Sequence, residues 1–268
     1  MKKRLLLLAL CLSLWLSAAA GAVSVRVDGA PLTESAQARI INGSTYVALR
    51  AVVEAIRPDA VVSWENGQAV VRAGDLELTA VPGELYIVAN GRYLFAASGV
   101  RLQNGRTMVP LRPLAKALGA EVGWDAATGT ASLTTGSGTI AHAAAFYDEE
   151  ELYWLSRIIS AESRGEPLVG MIAVGNVVLN RVAHANYPDT IYDVIFDDKW
   201  GVQFQPVSNG TIYEEPTAKS VLAAKLVLDG AETVREGLFF LAPHLTNNHW
   251  IMENRIYITT IGNHWFYK

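Results

Sequence analysis

Read for the spacing of its apolar positions, the 268-residue chain changes character near its middle. Between residues 23 and 135 short apolar runs alternate with turn residues, and two stretches carry helical periodicity. In INGSTYVALRAVVEAI (41–56) Val53 and Ile56 share a face, as do Leu114 and Leu118 in QNGRTMVPLRPLAKAL (103–118). The two stretches have Asn-Gly, Thr, Val, Leu-Arg and a final apolar residue at a constant offset, and a tryptophan follows each, Trp64 or Trp124. Each unit therefore predicts a short strand, an amphipathic helix and a hairpin, so this half is an α+β domain built by repetition. Asn66-Gly67 suits a tight two-residue turn, whereas Asp125 to Gly129 predicts a looser one. Residues 76–95 add strands between the units. Trp64 and Trp124 are expected in the core of a spacer or adhesive module, with glycan stacking as the alternative.

TTGSGT (134–139) reads as a flexible connection, which places a linker at 136–147 and a second domain at 148–268. There the pattern turns helical. DEEELYWLSRIISAESRG opens with acidic residues that suit a helix N-terminus. Leu152, Leu155, Ile159 and Glu162 then fall on one face, so Glu162 continues an apolar stripe. Burial disfavours the charged form of a carboxyl and keeps a proton available near neutral pH. Gly165 and Pro167 end the helix, which leaves Glu162 beside a loop that substrate can reach. Arg164 and Glu166 are expected to fix the loop or face solvent.

PLVGMIAVGNVVLNRV predicts a second helix with Met171, Val174, Val178 and Val182 as its core stripe. Asn176 and Asn180, one turn apart on another face, are candidates to orient the glutamate or to hold sugar hydroxyl and acetamido groups. VQFQPVSNGTIYEEP (202–216) predicts a loop of amides and aromatics suited to sugars, with Gln203, Phe204 and Gln205 as contacts. A third helix lies between Pro216 and Gly230. Strand-like LFFL, polar TNNHW and RIYITTIGNHWFY complete the chain, and Asn263 and His264 join the candidate substrate contacts.

MKKRLLLLALCLSLWLSAAAGA (1–22) has the basic, apolar and small-residue order of an export signal, and its apolar run of twelve residues is shorter than the ~20 of a membrane span. The mature protein is thus expected to be exported, with no membrane segment after cleavage. The single cysteine, Cys11, lies inside this segment, so neither disulfides nor thiol chemistry are expected. Losing Lys2, Lys3 and Arg4 lowers the 22 basic residues to 19 against 26 acidic ones. A nucleic-acid partner would need a basic footprint, which this acidic balance argues against.

The first half, through its two NG.T.V.LR units, resembles the copper amine oxidase N-terminal-like, or stalk, domain. Residues 23–135 contain neither His nor Cys, so the resemblance brings no copper. SAESRGEP, AVGNVVLNRV, VQFQPV, FLAPHLTNNHW and TIGNHWFY, in that order over about residues 150–268, resemble the SleB-type cell wall hydrolases, the spore-cortex-lytic family. That resemblance implies a lysozyme-like α+β domain of goose-lysozyme and lytic-transglycosylase type. It implies peptidoglycan glycan strands as substrate, cut at the β-1,4 bond between N-acetylmuramic acid and N-acetylglucosamine, and it places the catalytic glutamate at Glu162. The family's usual motif has Ala-Arg after the glutamate, where this chain has Ser163-Arg164. A stalk-like domain stands where the family often carries a peptidoglycan-binding repeat, and it implies attachment to wall or spore coat.

Glycosidases generally need two carboxyl groups. Asp189, Asp193, Asp197 and Asp198 cluster in a turn-rich region and are expected to cap helices or stay solvated. A lytic transglycosylase needs one glutamate, because the muramic acid 6-hydroxyl is itself the nucleophile. No metal or other cofactor is expected: His142, His184, His244, His249 and His264 form no H-E-x-x-H pattern, although the last three could converge. The contrasting reading is a non-catalytic wall-binding or spore-coat protein with a degenerate enzyme domain.

Overall fold

The computed structural model describes residues 23–32, 36–199, 201–246 and 249–268; the expected export signal lies outside them. Both halves are α+β, each around its own apolar core.

In the stalk-like half the two repeats meet at their strands. Ser44–Ala48 and Arg106–Pro110 pair antiparallel at the centre of a four-stranded sheet, flanked by Arg39–Ile41 and Arg101–Gln103. The register sets Val47 opposite Val109, Tyr46 opposite Pro110 and Ala48 opposite Met108. Val47 and Val109 are equivalent positions of the two units, so a local two-fold axis passes between them. Helices α1 (Leu49–Ile56) and α2 (Leu111–Ala117) follow these strands and bury Val52, Val53, Ile56, Leu111 and Leu114. A five-stranded antiparallel meander spans residues 61–95. In its first turn Asn66 and Gly67 both have positive φ, as a tight two-residue hairpin requires. The first strand, Ser24–Val27, pairs in parallel with Thr130–Thr134 and closes the domain on itself.

Trp64 and Trp124 depart from expectation. Their side chains are 50% and 48% exposed and lie outside the core, which the aliphatic residues of α1, α2 and the strands fill. Both sit on outward positions of their strands, and hydrophobicity alone does not tell the faces of a strand apart.

The connection at 136–147 is tied down. Thr139 Oγ1 donates to the Asp75 backbone carbonyl at 2.9 Å, Asn90 Nδ2 donates to the Ile140 carbonyl at 2.9 Å, and Ile140 is buried in the first core. Helix α3 (Ala143–Phe146) then leads to α4 (Glu149–Ser163).

In the second half, α4, α5 (Leu168–Val182) and α8 (Ala218–Leu228) pack against one another, with α6 (Ile191–Phe196) and the short α7 (Gln205–Asn209) at their side. Gly175 permits the close approach: a Cβ there would lie 2.9 Å from both Ile159 and Val227 side-chain carbons. Residues 239–241, 264–267 and 257–261 form a three-stranded antiparallel sheet in that order, and α9 (Trp250–Asn254) lies in the chain between the first of these strands and the other two. Among the described residues, no helix is long and apolar enough to cross a membrane.

The halves share a buried polar contact. Asp229, which caps the end of α8, accepts from Arg92 Nε at 3.0 Å and from the Tyr147 hydroxyl, and Lys116 Nζ lies 3.3 Å from it. Tyr86, Tyr93 and Phe95 of the stalk-like half pack on the second core.

Candidate active site

Helix α4 sets the site. Asp148 caps it by accepting from the Glu150 and Glu151 amides at 2.9 and 3.0 Å, which starts the helix where the acidic run predicted. Leu155 and Ile159 are fully buried on the stripe, and Glu162 follows in the last turn. The helix stops at Ser163, and Pro167 caps α5, so the Glu162 carboxyl faces outward from the end of a buried stripe.

That carboxyl opens into a cavity of about 1100 Å³ between the α4 end, residues of the 202–214 segment and residues 239–246 and 250–251. Burial pushes its pKa up to about 7, and the charge of Arg181 opposes the rise only in part. The C-terminal end of α4 further disfavours negative charge there. Among the described residues no hydrogen bond or ion pair engages the Glu162 side chain. The group is a half-buried acid, protonated near neutrality and open to a ligand.

Arg181, in the last turn of α5, lines the same cavity. Its Nε donates to the Leu238 carbonyl at 2.8 Å, and the Phe204 ring centre lies 5.0 Å from the guanidinium. Nη1 is buried without a partner among the described residues, so a fixed positive group remains available to a developing carboxylate or to substrate.

Gln203, Phe204, Gln205 and His264 line the cavity as well. Phe204 is almost wholly buried and forms its floor, whereas Gln205 is exposed. This expected loop is partly folded: α7 and a 3-10 turn at Thr211–Tyr213 interrupt it. His264 is buried, its Nδ1 has no partner among the described residues, and burial pushes its pKa down against the opposing charge of Glu166. It is therefore neutral at pH 7.

Three expected contacts lie elsewhere. Asn176 Nδ2 donates to the Ala231 carbonyl at 2.7 Å, and its Oδ1 accepts from the Thr233 amide at 2.8 Å. Asn180 Nδ2 donates to the Val234 and Gly237 carbonyls at 3.1 and 2.9 Å. Both amides thus clamp the 231–237 segment and do not line the cavity. Buried backbone carbonyls need donors, and α5 supplies them. Asn263 donates through its backbone and side-chain nitrogens to the two Glu166 carboxylate oxygens, at 2.9 Å each. This bracing ties the last hairpin to the α4–α5 turn, so Glu166 fixes the loop as expected.

Sequence reading overlooked the opposite wall. Leu245 is 79% exposed and Trp250 is half exposed, and both face the cavity. On its rim Arg164 Nη2 donates to Glu214 Oε2 at 3.0 Å. Glu214 is the other acidic residue of the cavity wall and is held as an ion pair. Among the described residues no group of three or more His, Cys, Asp or Glu side chains is placed to hold a metal ion.

Residues 165–267 match the family model described as Cell Wall Hydrolase. The C-terminal domain belongs to the cell wall hydrolase family. Glu162 precedes the matched range. Residues 26–133 match the copper amine oxidase N-terminal domain model. The spore cortex-lytic enzyme of Bacillus cereus is 33% identical over 122 residues, 46% of this chain and 46% of that protein. That of Oceanobacillus iheyensis is also 33% identical over 122 residues, with 43% of its length covered. The chain spans about half the length of the curated relatives it matches. Among solved structures, the catalytic domain of the germination-specific lytic transglycosylase SleB from Bacillus anthracis is 33% identical, with 97% of it covered by 46% of this chain and a TM-score of 0.42.

Proposed function

We propose that this protein is exported and cleaves peptidoglycan glycan strands at the β-1,4 bond after N-acetylmuramic acid, as a lytic transglycosylase. The observation that carries this reading is one protonated, unengaged carboxyl, Glu162, in an open cavity whose other acidic residue is held by Arg164. A cavity of about 1100 Å³ has room for sugar rings, to which Trp250 and Leu245 offer apolar surface while Gln203 and Gln205 offer amides. Asn176, Asn180 and Asn263 take no part in binding in this reading.

Glu162 donates its proton to the glycosidic oxygen as the bond to the muramic C1 breaks. The carboxylate so formed faces Arg181 and accepts the proton of the muramic 6-hydroxyl as that oxygen bonds to C1. The products are a free N-acetylglucosamine 4-hydroxyl and a 1,6-anhydromuramic end, with no water consumed. Mass spectrometry of digested wall checks this: anhydro ends that resist reduction are expected. Reducible muramic ends would mean hydrolysis and would make Glu214 the second carboxylate. Attachment to wall or spore coat is assigned to the stalk-like domain.

A further inference from the structure

The two exposed tryptophans of the stalk-like domain are not isolated. Trp64 walls a cavity of about 590 Å³ with Leu49 and Arg50 of its own repeat and Leu102, Arg106 and Thr107 of the other. Trp124 walls one of about 350 Å³ with Leu111 and Arg112 of its own repeat and Ile40, Ser44 and Thr45 of the first. The sets correspond position by position under the two-fold between Val47 and Val109: Leu49 with Leu111, Arg50 with Arg112, Leu102 with Ile40, Thr107 with Thr45, Arg106 with Ser44. The domain thus carries one pocket twice, each completed by the partner repeat.

A tryptophan in the core would serve stability. Here both rings are about half exposed, as are Leu102 at 53% and Ile40 at 49%, so the repetition retains apolar surface that folding leaves wet. Two corresponding pockets related by a two-fold fit two neighbouring segments of a polymer that presents the same group in every repeating unit. An indole face beside a guanidinium selects a unit with a flat apolar face and an anionic group. Arg112 makes no ion pair among the described residues, and Arg50 holds only an exposed contact with Glu54 at 3.3 Å. An arginine stands in each pocket of a chain whose formal charge is −4.

We propose that the two pockets are corresponding subsites for amino-sugar glycan strands that have lost stem peptides, one strand segment at each, with a pyranose ring on the tryptophan and the freed muramic lactyl carboxylate on the neighbouring arginine. This rests on the wall-cleaving reading for the identity of the polymer. Binding at two linked sites strengthens attachment without new contacts.

The test uses the full chain with Glu162→Gln, so that wall is not consumed, and measures cosedimentation with purified peptidoglycan partly stripped of its stem peptides by an amidase. Trp64→Ala and Trp124→Ala should each weaken binding about tenfold and the pair ~100-fold. Wall glycan stripped of its stem peptides should compete with the tryptophan-intact chain, and the released peptides should not. Equal sedimentation of the doubly substituted chain, or competition by stem peptides alone, overturns the proposal. The competition arm needs no further substitution, so misfolding cannot mimic the result. In the Glu162-intact chain the two tryptophan substitutions should leave cleavage of short soluble glycans unchanged. A chain that cleaves nothing yet sediments through Trp64 and Trp124 would sink the catalytic reading and leave this one standing.

Discussion

Arg92 and Asp229 lie 137 residues apart and meet as a buried ion pair between the domains, with side chains 6% and 1% exposed. The Arg92 guanidinium also rests 3.2 Å from the centre of the Phe146 ring. Removing one member of such a pair strands the other without water, which costs far more than the pair itself contributes. Arg92→Ala should therefore lower stability by about 3–5 kcal/mol. Paired substitution with Asp229→Asn should cost less than the sum of the singles, and denaturant melts of all four chains in the cycle check this.

Glu162→Gln retains shape but cannot transfer a proton, so cleavage of purified wall should fall ~10²-fold or more. Activity equal to the parent would remove Glu162 from the mechanism.

The raised pKa of Glu162 also fixes a pH signature. The folded chain holds this proton up to about pH 7, whereas the ordinary glutamate value is 4.5. Between those values the folded state binds more protons than the unfolded one, so this group makes stability fall as pH rises. Glu162→Gln removes the penalty. Its stability relative to the parent should climb by ~2 kcal/mol between pH 4.5 and 7 and then level, as urea melts at pH 4, 6 and 8 would show. In the parent, kcat/KM should decline above about pH 7 as the acid loses its proton.

Asn176→Ala and Asn180→Ala should act on folding rather than on substrate. Each leaves carbonyls of the 231–237 segment without donors, at about 1–3 kcal/mol per site, while KM for wall fragments stays near the parent value. A raised KM with unchanged stability would return these amides to the substrate.

Gly262 has φ +61°, and a Cβ there would fall 1.8 Å from Glu166 Oε2. Gly262→Ala should break the Asn263–Glu166 bracing and lower stability by about 1–3 kcal/mol, read as a lowered thermal midpoint.

What the sequence disclosed follows the reach of its signals. The Glu162 stripe was legible because four residues on one helix turn with the same period, and the cap and stop residues lie within a turn of its ends. The roles of Asn176 and Asn180 were not, because a helix-face amide looks the same whether it meets sugar or a carbonyl more than fifty residues away. Trp64 and Trp124 were legible as a repeated pair but not as exposed, since the face of a strand is decided by sheets that pack from distant segments. Arg164 and Glu214, separated by 50 residues, gave no local sign that they would meet.

The antiparallel register between Tyr46–Ala48 and Arg106–Pro110 bears on the domain's ancestry. The edge of each repeat is complementary to the edge of its equivalent in the opposite sense, as in a dimer of identical halves fused into one polypeptide. A chain carrying one repeat alone would leave that edge open and would meet its match in another molecule, so the fusion lets one chain satisfy an edge that would otherwise drive self-association.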